Sequence, residues 1–510
     1  MGEKNGEGRR SGDSSPTTAG VESDSDGDLD RNPSPPPGNH GPATDTIGDT
    51  TYSKHWLFAT LTKLIQAVTT EEPRLGREAR EAPPESDHVD EDLEDDVCRL
   101  WDMSTDKDVA DFLLEFHSPE LLLGVIRASS SPRITEMCVG ILGNMACFPE
   151  PCNALSQNGD LMKVLLLLLG DPDPPTLLET SRLLLTCLSR PESSRLWLEG
   201  IKNTPSVCPN VCFILSSSTN DDLLLKLGEV VDRLFDLDED LLLAWLSSGR
   251  SPASLDPSGG AQPAQPGDGE TTADADDETR VSLVPALLEA TSQVRQQRGP
   301  ALEVFAHIWQ QISTVEEGVL AMTSRAGEEV RRLLRAVLCR DLCQPDDPAV
   351  VLLEQTTALA SVAATLSALL PPSRPVVEPG CPSSEDDLEL LGSTLRIVGY
   401  LQECTKRPCD EAEDGSGCTK SGHSEDTGAE LQLLEEILAQ LLAIVLSNVT
   451  QSDLEEAFRQ KVLIPDRLPA AVRILVPSYP SVVQHLVDLL EKQHLPVAET
   501  LRALLQDPAE

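Results

Sequence analysis

The chain has 510 residues, and 85 acidic against 40 basic side chains leave a formal charge of −45. A charge of that sign and size repels phosphate backbones and anionic lipid headgroups, and with aromatic residues at only 3% there is no basic patch of interleaved rings on which bases could stack. Direct nucleic-acid and membrane binding are therefore not expected, and the expected partners are other proteins.

Residues 1–50 are rich in Ser, Gly, Pro and Asp and poor in large apolar side chains, so they read as a disordered tail in which Ser23, Ser25 and Ser34 are candidate phosphorylation sites. The first residues also lack the apolar core of a signal peptide. Over 51–70, Leu57, Leu61, Leu64, Ile65 and Val68 recur at helical spacing and predict an amphipathic helix. An acidic linker follows over 71–92. The acidic run continues to Asp96, with two readings open: a solvated face or a docking site for a basic partner.

From 93 to 250 nearly every window has helical periodicity, with Gly and Pro falling mostly between windows. Aligning Pro132-Arg133 and the following Cys138 to Cys147 with Pro174-Pro175 and the following Thr180 to Ser189 gives a shift of 42, from 132 to 174. A third copy, Lys226 to Phe235, places Asp232 46 residues after Thr186. Armadillo and HEAT units have such periods because each repeat buries its apolar face only against its neighbours. A compact helical bundle is the alternative, and the spacing favours the solenoid. Residues 251–280 read as a disordered linker, 281–370 as further helical repeats, 371–387 as a linker, 388–405 as a helix, 406–429 as a low-complexity linker and 430–510 as C-terminal helices. The predicted class is all-α, an armadillo/HEAT-like helical solenoid with a disordered acidic tail and low-complexity linkers. Leu431 to Val449 is interrupted by Glu435, Glu436 and Gln440 and does not predict a membrane span. Thirteen cysteines, an odd number, fit a reducing compartment, cytosol or nucleus.

Tyr52 to Phe58, Cys138 to Cys147, Asp173 to Ser189, Ser216 to Asn220 and Gly228 to Asp232 closely resemble the serum amyloid A-like protein 1 family, specifically from about Tyr52 to Trp245 and more loosely from Leu283 onward. That resemblance implies an armadillo-like fold, a nuclear location and a role in promoting cell proliferation, notably of synovial fibroblasts under inflammatory stimulation. It implies no catalytic or metal-binding residues.

The residues themselves agree on chemistry. No nucleophile elbow, zinc-protease motif or dinucleotide fingerprint occurs. Gly415 to Ser421 lacks both defining glycines of a phosphate loop. Cys404, Cys409, Cys418 and His423 lack the close C-x-x-C pairs that fix zinc geometry. Cys208 with Cys212 and Cys339 with Cys343 read as buried small apolar residues. The chain is thus expected to be non-enzymatic, without cofactor or metal.

In armadillo units the third helix of each repeat lines the concave surface, and its polar residues can bond an extended peptide. The aligned positions here are Asn144, Thr186 and Asp232, with Gly140, Arg182 and Gly228 one turn earlier. Asn144, Arg182, Thr186 and Asp232 are the candidate partner-binding groove, with Asn144 either a ligand contact or a helix-packing residue. A Trp four residues before the Asn marks import receptors of this fold; Gly140 stands there instead, against an import-receptor reading. An electrostatic binder or chaperone of basic nuclear proteins, acting through the acidic run, is the second functional reading.

Overall fold

The structure is a computed structural model that describes residues 45–70, 90–248, 282–297, 299–324, 326–371, 385–406, 423–465 and 467–506. Among them there is no strand, only one isolated antiparallel bridge between Thr46 and Ser53. Two helices open the array, α1 (Lys54–Thr70) and α2 (Glu91–Met103). Sets of three follow: α3 (Lys107–Glu115), α4 (Ser118–Ala128) and α5 (Pro132–Met145), then α6 (Pro149–Gln157), α7 (Gly159–Leu167) and α8 (Pro174–Leu188). The next sets are α9 (Pro191–Lys202), α10 (Val207–Ser217) and α11 (Asp221–Leu237), α12 (Glu239–Ser247), α13 (Leu283–Val294) and α14 (Pro300–Ser313), and α15 (Glu316–Thr323), α16 (Gly327–Ala336) and α17 (Thr356–Leu369). The array closes with α18 (Glu385–Lys406), α19 (His423–Ser447), α20 (Gln451–Arg459), α21 (Leu468–Arg473), α22 (Pro480–Lys492) and α23 (Val497–Gln506).

Proline content and helix content are compatible because Pro132, Pro149, Pro174, Pro191, Pro300 and Pro480 each occupy the first turn of a helix. There the missing N–H would have no intrahelical partner anyway. Asp106, Asn158, Asp173, Asn220 and Asp238 precede helices and accept a backbone N–H from the first turn. Each such cap is worth about 1 kcal/mol.

The packing pattern defines the repeat. Third helices stack in one unbroken row, α2 on α5, α5 on α8, α8 on α11, α11 on α14, α14 on α17 and α17 on α19. Second helices stack beside them, with α4 on α7 and α10 on α13 on α16. At the amino-terminal end α1 packs on both α2 and α4, burying Leu57, Leu61, Leu64 and Val68, so it closes the first repeat as a cap. Asp45 fixes its start by accepting from Ser53 Oγ at 2.7 Å and the His55 N–H at 3.1 Å, and Ile47 is buried. Ordered packing therefore begins inside the stretch expected to be tail, because one isoleucine and one capping aspartate suffice to hold it.

The stretch 251–280 falls within the fourth repeat, after α12 and before α13. Packing nevertheless continues across it, since α13 rests on α10 and α14 on α11. Three helices carry no clear sequence signal: α15, α20 and α21, of 8, 9 and 6 residues, are shorter than a periodicity window resolves. Within the stretch expected as helical repeats over 281–370, Gln355 separates a 3-10 stretch, Ala349–Glu354, from α17. Gln355 Oε1 accepts the Cys343 N–H at 2.9 Å, and this tertiary bond fixes the break. Helix α19 begins at His423, inside the stretch expected to be low-complexity linker. No single helix among the described residues is long and apolar enough to cross a membrane.

Leu183, Leu184 and Leu188 of α8 are fully buried between α5 and α11. Leu184→Ala is expected to cost roughly 2–5 kcal/mol by the lost burial and the cavity left behind. Urea unfolding of the full chain, followed by helical circular dichroism, checks it; an unchanged midpoint contradicts the placement.

Candidate partner-binding row on the third helices

Helix α5 sits at the centre of the row, and every residue from Ile134 to Ala146 except Glu136 is buried. Its glycines make this possible. A Cβ at Gly140 would fall 2.2 Å from the Trp101 indole, which α2 lays across that position. Beside it, a Cβ at Gly143 would fall 3.0 Å from Arg182 Nη2 of α8. Glycine in a helix interior costs about 1 kcal/mol relative to alanine, and here that cost admits one side chain from each neighbouring repeat. The aromatic ring missing from α5 itself is thus supplied by α2.

The four sequence-predicted groove residues lie on successive third helices, as the register requires, but they do different work. Asn144 is 8% exposed; its Nδ2 donates to the Trp101 carbonyl at 2.9 Å and to Ser104 Oγ at 3.1 Å, and its Oδ1 accepts from Arg182 Nη1 at 3.0 Å. These three bonds join α2, α5 and α8, so the helix-packing alternative accounts for the Asn144 amide. Arg182 also donates to the Gly140 carbonyl at 3.2 Å and to Glu179 Oε2 at 2.8 Å. Its guanidinium thus bonds a carbonyl within α5 while pairing within α8. Thr186 is half-buried and bonds only its own helix, Oγ1 donating to the Arg182 carbonyl at 2.9 Å.

Asp232 faces the next repeat. Its Oδ1 lies 2.6 Å from His307 Nδ1 of α14, while Gln311 Nε2 donates to the Asp232 carbonyl at 3.3 Å and to Asp236 Oδ1 at 2.7 Å. The hydrogen bond to Asp232, helped by the negative fields of Asp232, Asp236 and Glu303, raises the His307 pKa against the opposing effect of burial. Trp101, Ser104, His307 and Gln311 were not identified from the sequence. A glycine inside an otherwise apolar helix was the available signal for Trp101; nothing local marks His307, which lies 75 residues from its partner.

The acidic run is partly structural. Glu94 Oε1 accepts from Arg133 Nε of α5 at 2.7 Å, and Asp96 Oδ2 from Lys63 Nζ of α1 at 2.8 Å. Cys212, Cys339 and Cys343 are buried and Cys208 is half-buried, consistent with packing roles. Cys404 donates to the Ala349 carbonyl. Cys409 and Cys418 lie outside the described residues, as do Ser23, Ser25 and Ser34.

Three-helix repeats stacked in rows, with polar side chains tying α2 to α5, α5 to α8 and α11 to α14, define an all-α solenoid of the armadillo type. A family model described as the SAAL1 C-terminal domain matches residues 207–483. Protein saal1 of Danio rerio is 44% identical over 470 residues, 91% of each chain. The Xenopus tropicalis protein of that name is 41% identical over 481 residues, 93% of this chain and 98% of its own, and Protein SAAL1 of Homo sapiens is 39% identical over 482 residues with the same coverage. The chain belongs to the SAAL1 family. A crystal structure of an engineered protein aligns with 88% of this chain and 99% of its own at 13% identity and a TM-score of 0.39, too weak a likeness to add to the fold.

Asn144→Ala removes three inter-repeat bonds and leaves the Trp101 carbonyl and Arg182 without them, an expected loss of about 1–3 kcal/mol. Thr186→Ala, which breaks only a bond within its own helix, is expected to stay within about 0.5 kcal/mol of wild type. Parallel urea titrations of the two variants check the contrast. His307 has a folded pKa above its unfolded value of about 6.5, so its stabilising effect is fully present below that value and is lost as pH rises through the folded one. The melting-temperature gap between wild type and His307→Gln is therefore expected to be larger at pH 6 than at pH 9; a gap that grows with pH refutes the assignment.

Proposed function

We propose that this chain is a non-enzymatic interaction scaffold that holds a partner protein along its third-helix row. The carrying observation is the division of labour on that row: Asn144 and part of Arg182 lock the helices together, while Thr186, Asp232, His307 and Glu303 keep accessible surface on α8, α11 and α14. A row whose backbone groups are satisfied internally and whose remaining polar side chains are partly or fully accessible can bind an extended segment without rearranging. The resemblance noted in the sequence supports a nuclear site of action and a role in promoting cell proliferation, in synovial fibroblasts under inflammatory stimulation among others. The second reading, an electrostatic binder of basic nuclear proteins, draws on the −45 charge and is weakened by the ion pairs that already engage Glu94 and Asp96.

Proximity labelling in cells with the full chain, followed by capture of the leading partner in vitro, tests the scaffold. Thr186→Arg with Glu303→Lys is expected to leave the melting temperature within a few degrees of wild type and to reduce capture at least ten-fold. Retention of the whole wild-type partner set by the stable double variant removes the row from the function. Salt separates the two readings: the Debye length shrinks from about 10 Å at 0.1 M to about 3 Å at 1 M, so row packing is expected to survive 1 M salt and purely electrostatic capture is not.

A further inference from the structure

A second surface lies on α18, away from the third-helix row. Between α18 and the segment that joins α20 to α21, a cleft of about 730 Å3 opens. That volume is within the range of about 300–1,000 Å3 typical of ligand pockets. Two glycines on α18 mark its extent. At Gly392 a Cβ would fall 2.8 Å from Val462 Cγ1, so the wall is closed there, whereas at Gly399 nothing lies within 4 Å. The step of seven positions from one to the other is two helical turns, about 10 Å, the reach of about three residues of extended chain.

The cleft's charge is opposite to that of the chain. Arg396 of α18 donates from Nε to the Cys343 carbonyl at 3.1 Å, and from Nη2 to the Cys339 carbonyl at 3.4 Å and to Ser393 Oγ at 3.1 Å. All three acceptors are neutral, so the guanidinium is fixed in place with its charge uncompensated by a bonded carboxylate. Lys461 and Arg467 line the opposite side, exposed and without an ion pair among the described residues. Glu389 on the near wall is engaged by Arg340 at 2.8 and 2.9 Å, which leaves Glu403 as the unengaged carboxylate among the described lining residues. Among the described lining residues, three cations against one such carboxylate reverse the local sign in a chain of net charge −45. Apolar surface accompanies the charge: Leu395 and Leu468 line the cleft, and Ile464 on its lip is 41% exposed.

We infer that this cleft binds a short acidic segment of a partner protein that carries one apolar anchor residue. A carboxylate of the segment bonds the pre-oriented guanidinium of Arg396 through Nη1, the nitrogen that the bonds from Nε and Nη2 leave over, in a charge-assisted pair. Flanking acidic residues lie near Lys461 and Arg467, and the anchor side chain fills the open space at Gly399 against Leu395 and Ile464. The cleft is open at that end, and the exposed isoleucine extends its apolar wall outward, which suits a segment that continues beyond the pocket more than a free small carboxylate. This inference does not depend on the third-helix row.

The test pans the full-length chain against a random dodecapeptide phage library at 0.15 M salt, in wild-type, Gly399→Leu and Arg467→Glu forms. Gly399→Leu places a side chain in open space on a helix and is expected to preserve the melting temperature; Arg467→Glu changes an exposed residue and serves as the second variant. The wild type is expected to enrich peptides in which Asp or Glu flanks Leu, Ile or Phe. The leading synthetic peptide is expected to lose at least ten-fold in affinity on either variant by isothermal titration calorimetry. No enrichment, enrichment of basic or purely acidic peptides, or binding that both variants leave intact overturns the inference.

Discussion

Burial of each third helix between the two third helices on either side is the constraint on which the rest of the architecture depends. A helix such as α5, buried from Ile134 to Ala146 apart from Glu136, has no stable existence as a surface element; its apolar circumference must be covered on all sides. Stacking provides much of that cover, with α2 before it and α8 after it, and α3 and α4 of its own repeat supply the rest. Stability is then a sum of neighbour interfaces and not the property of one central core. The array must also end in elements with one polar face, and α1 fills that role at the amino-terminal end by packing on α2 and α4.

Polar groups enter this apolar row only where they are bonded. Burying an amide without partners costs about 1–3 kcal/mol on mutational scales, so Asn144 is tolerated at 8% exposure because three groups from two neighbouring helices satisfy it. The same requirement explains Trp197 and Trp309, both fully buried, whose indole N–H groups donate to Ser156 Oγ at 2.9 Å and Thr291 Oγ1 at 3.0 Å. Such bonds join elements by geometry as well as energy, because the helices must adopt one register for donor and acceptor to meet. The cleft on α18 differs in that the acceptors bonded to Arg396 are all neutral, and Glu389, held by Arg340, acts on its charge only through space.

Charge is likewise distributed by position. With 85 acidic residues, most carboxylates face solvent and contribute little individually. A minority pair across helices, as Glu94 does with Arg133 and Asp238 with Lys202. Carboxylates converge from two helices around His307, with Asp232 and Asp236 on α11 and Glu303 on α14, and the imidazole there couples the row to pH.

Sequence alone determined the helical class, the period of 42 to 46 residues and the placement of equivalent residues on successive third helices. All of these follow from apolar spacing along the chain, and local spacing survives without knowledge of the fold. Tertiary structure decided what spacing cannot encode. It assigned Asn144 to inter-repeat bonding, because the partners Trp101 and Arg182 lie 43 and 38 residues away. It placed an indole over Gly140, carried the solenoid across the stretch between α12 and α13, and brought Arg396 opposite Lys461 and Arg467. These outcomes depend on which helices become neighbours, and neighbour identity is set by the collective burial of the row, not by any window of sequence.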